Sequence, residues 1–250
     1  FVKIAPRAQL PMFEAEAAGL RELGSADAIR VPAVLAVGQA AGQAFLALEW
    51  IEFRSAGRAA GRELGELLAK QHRLTAARFG WERDNTIGST PQPNGWCSDW
   101  VEFYRERRLA HQLGLAQANG ADAGLIDRSR RLLEVFDAFF TSYRPVPSLL
   151  HGDLWGGNWG VDESGHPVIF DPAVYYGDRE ADIAMTHLFG GFGPAFYAAY
   201  QASWPLDQAA GTRRSLYNLY HVLNHYNLFG GGYLEQARSM VDRLLATLGC

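Results

Sequence analysis

Hydrophobic and polar positions recur along this chain first with the period of strands and then, for most of its length, with the period of helices. Phe1 to Pro6 (FVKIAP) is β-branched and apolar and carries one lysine, the composition of a strand. From Met12 to Leu23 the apolar residues Phe13, Ala17, Leu20 and Leu23 return at helical spacing. Glu14 and Glu16 lie about 200° apart around that helix, so only one can face a given partner. Val34, Leu35 and Val37, a glycine-containing turn, and then Ala44 to Trp50 (AFLALEW) predict a β-hairpin.

From Gly61 the chain turns helical. Leu64, Leu67, Leu68, Gln71 and His72 follow one amphipathic face, on which His72 reads as a packed or capping residue. Phe79 to Trp96 (FGWERDNTIGSTPQPNGW) is rich in Asn, Gly, Pro and Thr and predicts a long loop, a length that often signals function. Helices are expected over Asp99–Leu115, with Arg105, Arg107 and Arg108 as a solvated face, and over Ala123–Tyr143, with Leu125, Leu132, Leu133, Phe136 and Phe140 as a core stripe. Pro145 and Pro147 end the second. The stretch from Pro194 to Leu248 is helical and aromatic and is broken at Gly230-Gly231-Gly232. That break reads as a helix stop, because no strand precedes it and no Lys-Ser/Thr follows. His221 and His225 stand one helical turn apart but read as packing residues, since no glutamate or further histidine completes a metal site.

Composition narrows the class without choosing within it. The 250 residues are 48% hydrophobic and 20% charged, a globular balance, and fit one two-lobed unit. The net charge of −4 offers no basic field for nucleic acid, and Phe79, Trp81 and Trp96 are too few and too acid-flanked for a base-stacking platform. Cys97 and Cys250 are the only cysteines and form no CxxC, which argues for a reducing compartment and against a disulfide or zinc framework. With no signal peptide and no run long enough to cross a bilayer, the expected location is the cytoplasm and no membrane partner is expected.

The chemistry concentrates in Leu149 to Gly160 (LLHGDLWGGNWG) and in the apolar run Val168, Ile169, Phe170 that ends at Asp171. An acid, an amide five residues later and a second acid after a short strand suit phosphoryl transfer, which needs positioning and charge neutralisation more than covalent help. Asp153 can accept the proton of an attacking hydroxyl. Asn158 and Asp171 supply hard oxygen ligands for Mg²⁺, which keeps several waters and takes few protein ligands. Protein kinases carry H-R-D-x-x-x-x-N and D-F-G at the corresponding places. Gly152 and Pro172 here point instead to small-molecule kinases sharing that fold. On this reading Lys3 contacts nucleotide phosphates, held by one of the helix glutamates, though Lys3 alone also reads as a solvated strand-end residue. Glu49, Trp50 and Ile51 form the strip that offers backbone groups to adenine. The run after Asp171 leaves two roles open: Asp178 as the cap of a helix starting at Arg179, or Asp182 reaching back to hold the HGD loop.

The motifs MFEAEAAGL, HGDLWGGN, FDPAVYYGDREADIAM, LFGGF and LYNLYHVLNHYNLFGGGY together resemble the fructosamine kinase (ketosamine-3-kinase) family, itself similar to aminoglycoside and choline kinases. The resemblance spans nearly the whole chain. It implies an α+β, protein-kinase-like fold with a small β-rich N-lobe (1–51) and a mainly helical C-lobe (52–250). It further implies ATP- and Mg²⁺-dependent phosphorylation of the sugar 3-hydroxyl of a small or protein-bound ketosamine, which destabilises the adduct and releases the amine. By motif position it makes Lys3 the nucleotide lysine, Glu16 its helix partner, Asp153 the base, Asn158 and Asp171 the metal ligands and Asp182 the loop-holding aspartate. Trp155, between base and amide and flanked by Gly156 and Gly157, is either an apolar platform for the sugar or core beneath the loop. The sequence given starts at the lysine strand, without the family's two preceding strands and glycine-rich turn. A molecule that began at Phe1 would expose a sheet edge and bind ATP poorly. An aminoglycoside- or choline-type kinase, and a kinase-fold protein that binds without turnover, are the alternatives.

Overall fold

The structure, a computed structural model, describes residues 1–249, so Cys250 lies outside the described residues. Strand β1 (Val2–Pro6) alternates in exposure and turns Lys3 and Ala5 inward. Helix α1 (Leu10–Ser25), with a proline in its first turn, buries Phe13, Ala17, Leu20 and Leu23. The expected hairpin is β2 (Val34–Ala40) and β3 (Gln43–Leu48), and β1 pairs with β3 to give an antiparallel sheet in the order β1-β3-β2. The apolar face of that sheet (Ala44, Leu46, Leu48) packs on Phe13, Ala17 and Leu20 of α1 as a small separate core. Burying each large aliphatic side chain there contributes about 1.5–3 kcal/mol.

The second lobe is built on helices. Helix α2 (Arg58–His72) leads to two short strands, β4 (Asn85–Ile87) and β5 (Thr90–Gln92), which pair as a hairpin inside the stretch expected to be a loop. Helix α3 (Trp100–Tyr104), a π-helical turn over Arg105–Ala110 and α4 (His111–Ala118) run on without a break. Helix α5 (Ala123–Glu134) stops short of the expected Tyr143. A 3₁₀ turn over Phe136–Phe140 takes its place and tightens the backbone so that Phe136, Phe139 and Phe140 are all buried.

Four short strands then frame the loops of interest: β6 (Ser148–Leu150) with β9 (Tyr175–Gly177), and β7 (Trp159–Val161) with β8 (Pro167–Ile169), each pair antiparallel. Helix α6 (Arg179–Thr186) is buried throughout. Helices α7 (Pro194–Ser203), α8 (Ala210–Phe229) and α9 (Tyr233–Thr247) complete the lobe. Gly230 ends α8 with φ of 65°, a value only glycine adopts at no cost, so the triple glycine is the stop its sequence suggested. Among the described residues no helix is long and apolar enough to cross a membrane.

Arg108 departs from expectation. The π turn holds one residue more than an α turn, which rotates the following side chains and swings Arg108 out of the solvated face and into the core. There it is fully buried, lies 4.1 Å over the Tyr175 ring and donates to Pro93 O and Asn94 Oδ1, each at 2.6 Å. Arg105 and Arg107 stay partly exposed.

Candidate active site

The HGD loop follows β6 and is shaped by a close backbone approach. At Gly152, with φ of +84°, a Cβ would stand 2.0 Å from Ala173 O, which excludes any side chain, the arginine of protein kinases included. His151 is buried in a neutral form: Nε2–H donates to Phe170 O at 3.0 Å and Nδ1 accepts from the Asp153 amide at 3.2 Å. Burial holds its pKa below the usual histidine value.

Asp178 and Asp182 fill both of the roles left open. Asp178 accepts from the Glu180 amide and caps α6, while Asp182 accepts from the amides of His151 (2.7 Å) and Gly152 (2.8 Å). Buried His72 joins them, with Nε2 3.2 Å from Asp182 Oδ2 and Nδ1 2.8 Å from Tyr200 Oη. Burial alone would raise the Asp182 pKa. The hydrogen bond and charge of His72, the nearby His151 and the Gly152 amide outweigh it and keep Asp182 below the usual carboxylate value. His72 is thus packed, as its helix face suggested, and is also a clamp partner that sequence reasoning missed.

The predicted acids and amide converge. Asn158 Nδ2 donates to Asp153 O at 2.8 Å and Asp153 Oδ2 at 3.2 Å, and reaches Asp171 O at 3.4 Å, which leaves Oδ1 free of any donor among the described residues. Burial, with smaller contributions from the Asp182 and Asp171 charges, pushes Asp153 up to about 7 against the Asn158 hydrogen bond. Asp171 follows β8 with φ of +55°, an uncommon conformation for any residue but glycine and a form of strain concentrated at functional sites.

Lys3 reaches the same place from the other lobe. Its Nζ lies 2.7 Å from Glu16 Oε1 and 2.7 Å from Asp171 Oδ1. Burial opposes the charge on Lys3, but the two carboxylates prevail and its pKa is raised. Of the two helix glutamates, Glu16 faces the lysine and Glu14 faces solvent. Lys3, Glu16, Asp153, Asn158 and Asp171 share one cavity of about 360 Å³. Asn158 Oδ1 and the second oxygen of Asp171 make an open two-ligand donor set that fits Mg²⁺. Among the described residues no cluster of three or more His, Cys, Asp or Glu forms a metal cage.

Trp50 and Ile51 line a neighbouring apolar cavity of about 530 Å³ with Leu48, Phe53 and Phe170, and neither is hydrogen-bonded among the described residues. Glu49 lines it too. Its carboxylate is taken by Arg30 (2.6 Å) and the Ala33 amide (3.1 Å), so its side chain ties the strip down rather than standing free. Trp155 is 39% exposed and therefore not core. It folds across Gly157, where a Cβ would lie 2.3 Å from the indole, and meets the Phe189 ring edge-on at 6.2 Å. With Phe189, His225, Phe229 and Tyr233 it lines a groove on the far side of Asp153.

Comparison with known proteins gives one consistent family. The fructosamine kinase family model matches residues 1–247. A "Probable ketoamine kinase" from Synechocystis is 45% identical over 250 residues, covering 98% of this chain and 82% of that protein. The chloroplastic protein-ribulosamine 3-kinase of Arabidopsis thaliana is 44% identical over 251 residues, covering 99% of this chain and 76% of that protein. Among solved structures, one from Haemophilus somnus, named as a fructosamine-3-kinase, superposes with a TM-score of 0.91 at 31% identity, covering 98% of this chain and 83% of that one. The gentamicin complex of APH(2")-IIa, at 14% identity and a TM-score of 0.59, shares the fold.

Proposed function

Because the chain belongs to the fructosamine kinase family, we propose that it is an ATP-dependent kinase that phosphorylates the sugar 3-hydroxyl of ketosamines such as fructosyl- and ribulosyl-amines. The observation that carries this reading is the convergence of Asp153, Asn158 and Asp171 with the Lys3–Glu16 pair on one cavity between the two lobes. We place the boundary after Ile51, with residues 1–51 as the N-lobe and 52–250 as the C-lobe.

Each residue then has a task. Adenine lies against Trp50 and Ile51 and takes its hydrogen bonds from the strip's backbone. Lys3, aligned by Glu16, holds phosphate oxygens. Asn158 and Asp171 would hold Mg²⁺, which would neutralise charge on the phosphates. Asp153 orients the sugar hydroxyl and accepts its proton, and a carboxylate near pKa 7 is matched to that work at neutral pH. Asp182 and His72 keep the loop rigid through the transfer. Trp155 covers the C–H face of the sugar. The groove beyond it carries no acid but Asp153, which disfavours polycationic aminoglycosides as substrates. Free Cys97 fits a cytoplasmic protein.

The test is a panel of ketosamines, choline and aminoglycosides offered to the full-length protein with Mg-ATP, with the phosphate located by NMR. Ketosamines phosphorylated at the 3-hydroxyl are expected. Preference for choline or an aminoglycoside would overturn the assignment.

A further inference from the structure

The phosphate cavity and the aromatic groove are separate spaces, and among the described residues only two line both: Asp153 and Gly88. Any hydroxyl that comes from the groove to meet phosphate must therefore pass between the Asp153 carboxylate and the turn that joins β4 to β5. Gly88 and Ser89 form that turn, and Thr86 and Ser89 both line the phosphate cavity.

This hairpin is tied down at its root and exposed at its tip, where its donors are open to a ligand. Buried Asn85 donates to Val174 O (2.8 Å), and buried Gln92 donates to Asn85 Oδ1 (2.8 Å) and Ala173 O (3.1 Å). Asn94 donates to Asn85 Oδ1 at 2.8 Å, and Tyr220 Oη donates to Gln92 Oε1 at 2.6 Å. The root is thus bonded to the backbone two and three residues beyond Asp171, and Ala173 in turn donates its amide to His151 O. Hydrogen bonds thus tie the hairpin, the segment after Asp171 and the HGD loop to one another. At the tip, the hydroxyls of Thr86 and Ser89 and the amides of Gly88 and Ser89 have no partner among the described residues. A buried network spent on fixing a turn of unpaired donors beside the reacting carboxylate is the arrangement of a ligand-holding element.

We propose that the Gly88–Ser89 turn, with Thr86 beside it, positions the sugar opposite Asp153 and selects which hydroxyl is phosphorylated. On the ketosamine reading above, these are the residues that decide regiochemistry. Donors on the turn hold the hydroxyls flanking the reacting one. The absent side chain at Gly88, where φ is +60° and a Cβ would meet Leu228 Cδ1 at 3.1 Å, keeps the passage open.

Two variants of the full-length protein test this. Gly88→Asn keeps a residue that tolerates positive φ and puts an amide in the passage. It should lower ketosamine kcat/KM at least tenfold and yield phosphate at more than one hydroxyl, with nucleotide Kd within twofold of wild type. Thr86→Val/Ser89→Ala leaves the backbone alone, and so decides the matter even where Gly88→Asn folds badly. It should raise the ketosamine KM several-fold at unchanged ATP KM, with Thr86→Ser/Ser89→Thr restoring it. A double variant whose ketosamine KM stays within twofold and whose only product is the 3-phosphate overturns the proposal. So does a loss that tracks nucleotide affinity. A wild-type enzyme that phosphorylates some other alcohol and no ketosamine defeats the functional reading instead, and the same variants then judge the hairpin on that alcohol.

Discussion

A single proton acceptor sits where the two cavities meet, and that fixes what Asp153→Asn should do. The substitution keeps shape and the contact with Asn158 but removes the base, so kcat is expected to fall roughly 10²–10⁴-fold while nucleotide affinity and thermal midpoint hold. Single-turnover phosphoryl transfer reads this directly, and activity within a few-fold of wild type would take Asp153 out of the role. Asp171 and Asn158 differ in charge and in what they leave behind. Asp171→Ala removes a full charge and one of the two carboxylates on Lys3, which keeps Glu16, whereas Asn158→Ala removes a dipole and its hydrogen bonds to Asp153. Calorimetric titration should therefore show Mg²⁺-dependent ATP binding weakened more by Asp171→Ala, and equal losses without Mg²⁺ would indicate a structural role for both. The sequence makes these positions legible because phosphoryl transfer imposes a local spacing on them. His72, Asn85, Gln92 and Arg108 act through partners far along the chain, and nothing in their neighbours announces that. For Asn85 and Gln92 the one signal was their place in the long Phe79–Trp96 stretch, and for His72 and Arg108 there was none.

Elements here are held by a few buried polar clamps more than by helix propensity. Helix α6 carries Asp182 under the HGD loop, and α2 carries His72 to it, so the two helices and the loop form one unit. Asp182→Ala strips a buried charge from two backbone amides and from His72, and the expected loss is about 3–5 kcal/mol of unfolding free energy with kcat reduced as well. Urea denaturation gives the first and steady-state kinetics the second. A loss under about 1 kcal/mol would mean that water takes over the two amides. The order of strands and helices follows from hydrophobic period, turn residues and caps, and all of these are local. Where the reading slipped, at the π turn over Arg105–Ala110 and the 3₁₀ turn over Phe136–Phe140, tertiary packing overrode the local period: Arg108 is drawn in by Phe103, Tyr175 and Tyr220, and three phenylalanines are drawn in by the main core.

Across the whole molecule, folding takes several ionisable groups out of water, Asp153 at the cleft and Glu180 and His221 within the helical lobe. Their pH effects oppose one another. Burial raises Asp153 and Glu180 to about 7, so the folded state holds their protons more tightly and stability declines as pH rises toward 7. Buried His221 runs the other way. Burial, helped by His225 and Arg108 against the pull of Asp182, lowers it to about 3, and its Nδ1 has no partner. With a folded pKa below the unfolded value of about 6.5, the unfolded chain takes up the proton first. The stability His221 contributes is thus whole above pH 6.5 and is lost as pH falls toward 3. The wild-type curve sums all these slopes, but its difference from His221→Leu cancels the groups they share and isolates one histidine. Urea unfolding at pH 7.5 and 5.5 should show wild type losing roughly 1.4 kcal/mol relative to the variant, the free energy of one pH unit below 6.5. A difference that stays constant between the two pH values would mean that His221 reaches a proton partner or solvent in the folded protein, and that α8 packs less tightly there than its burial implies.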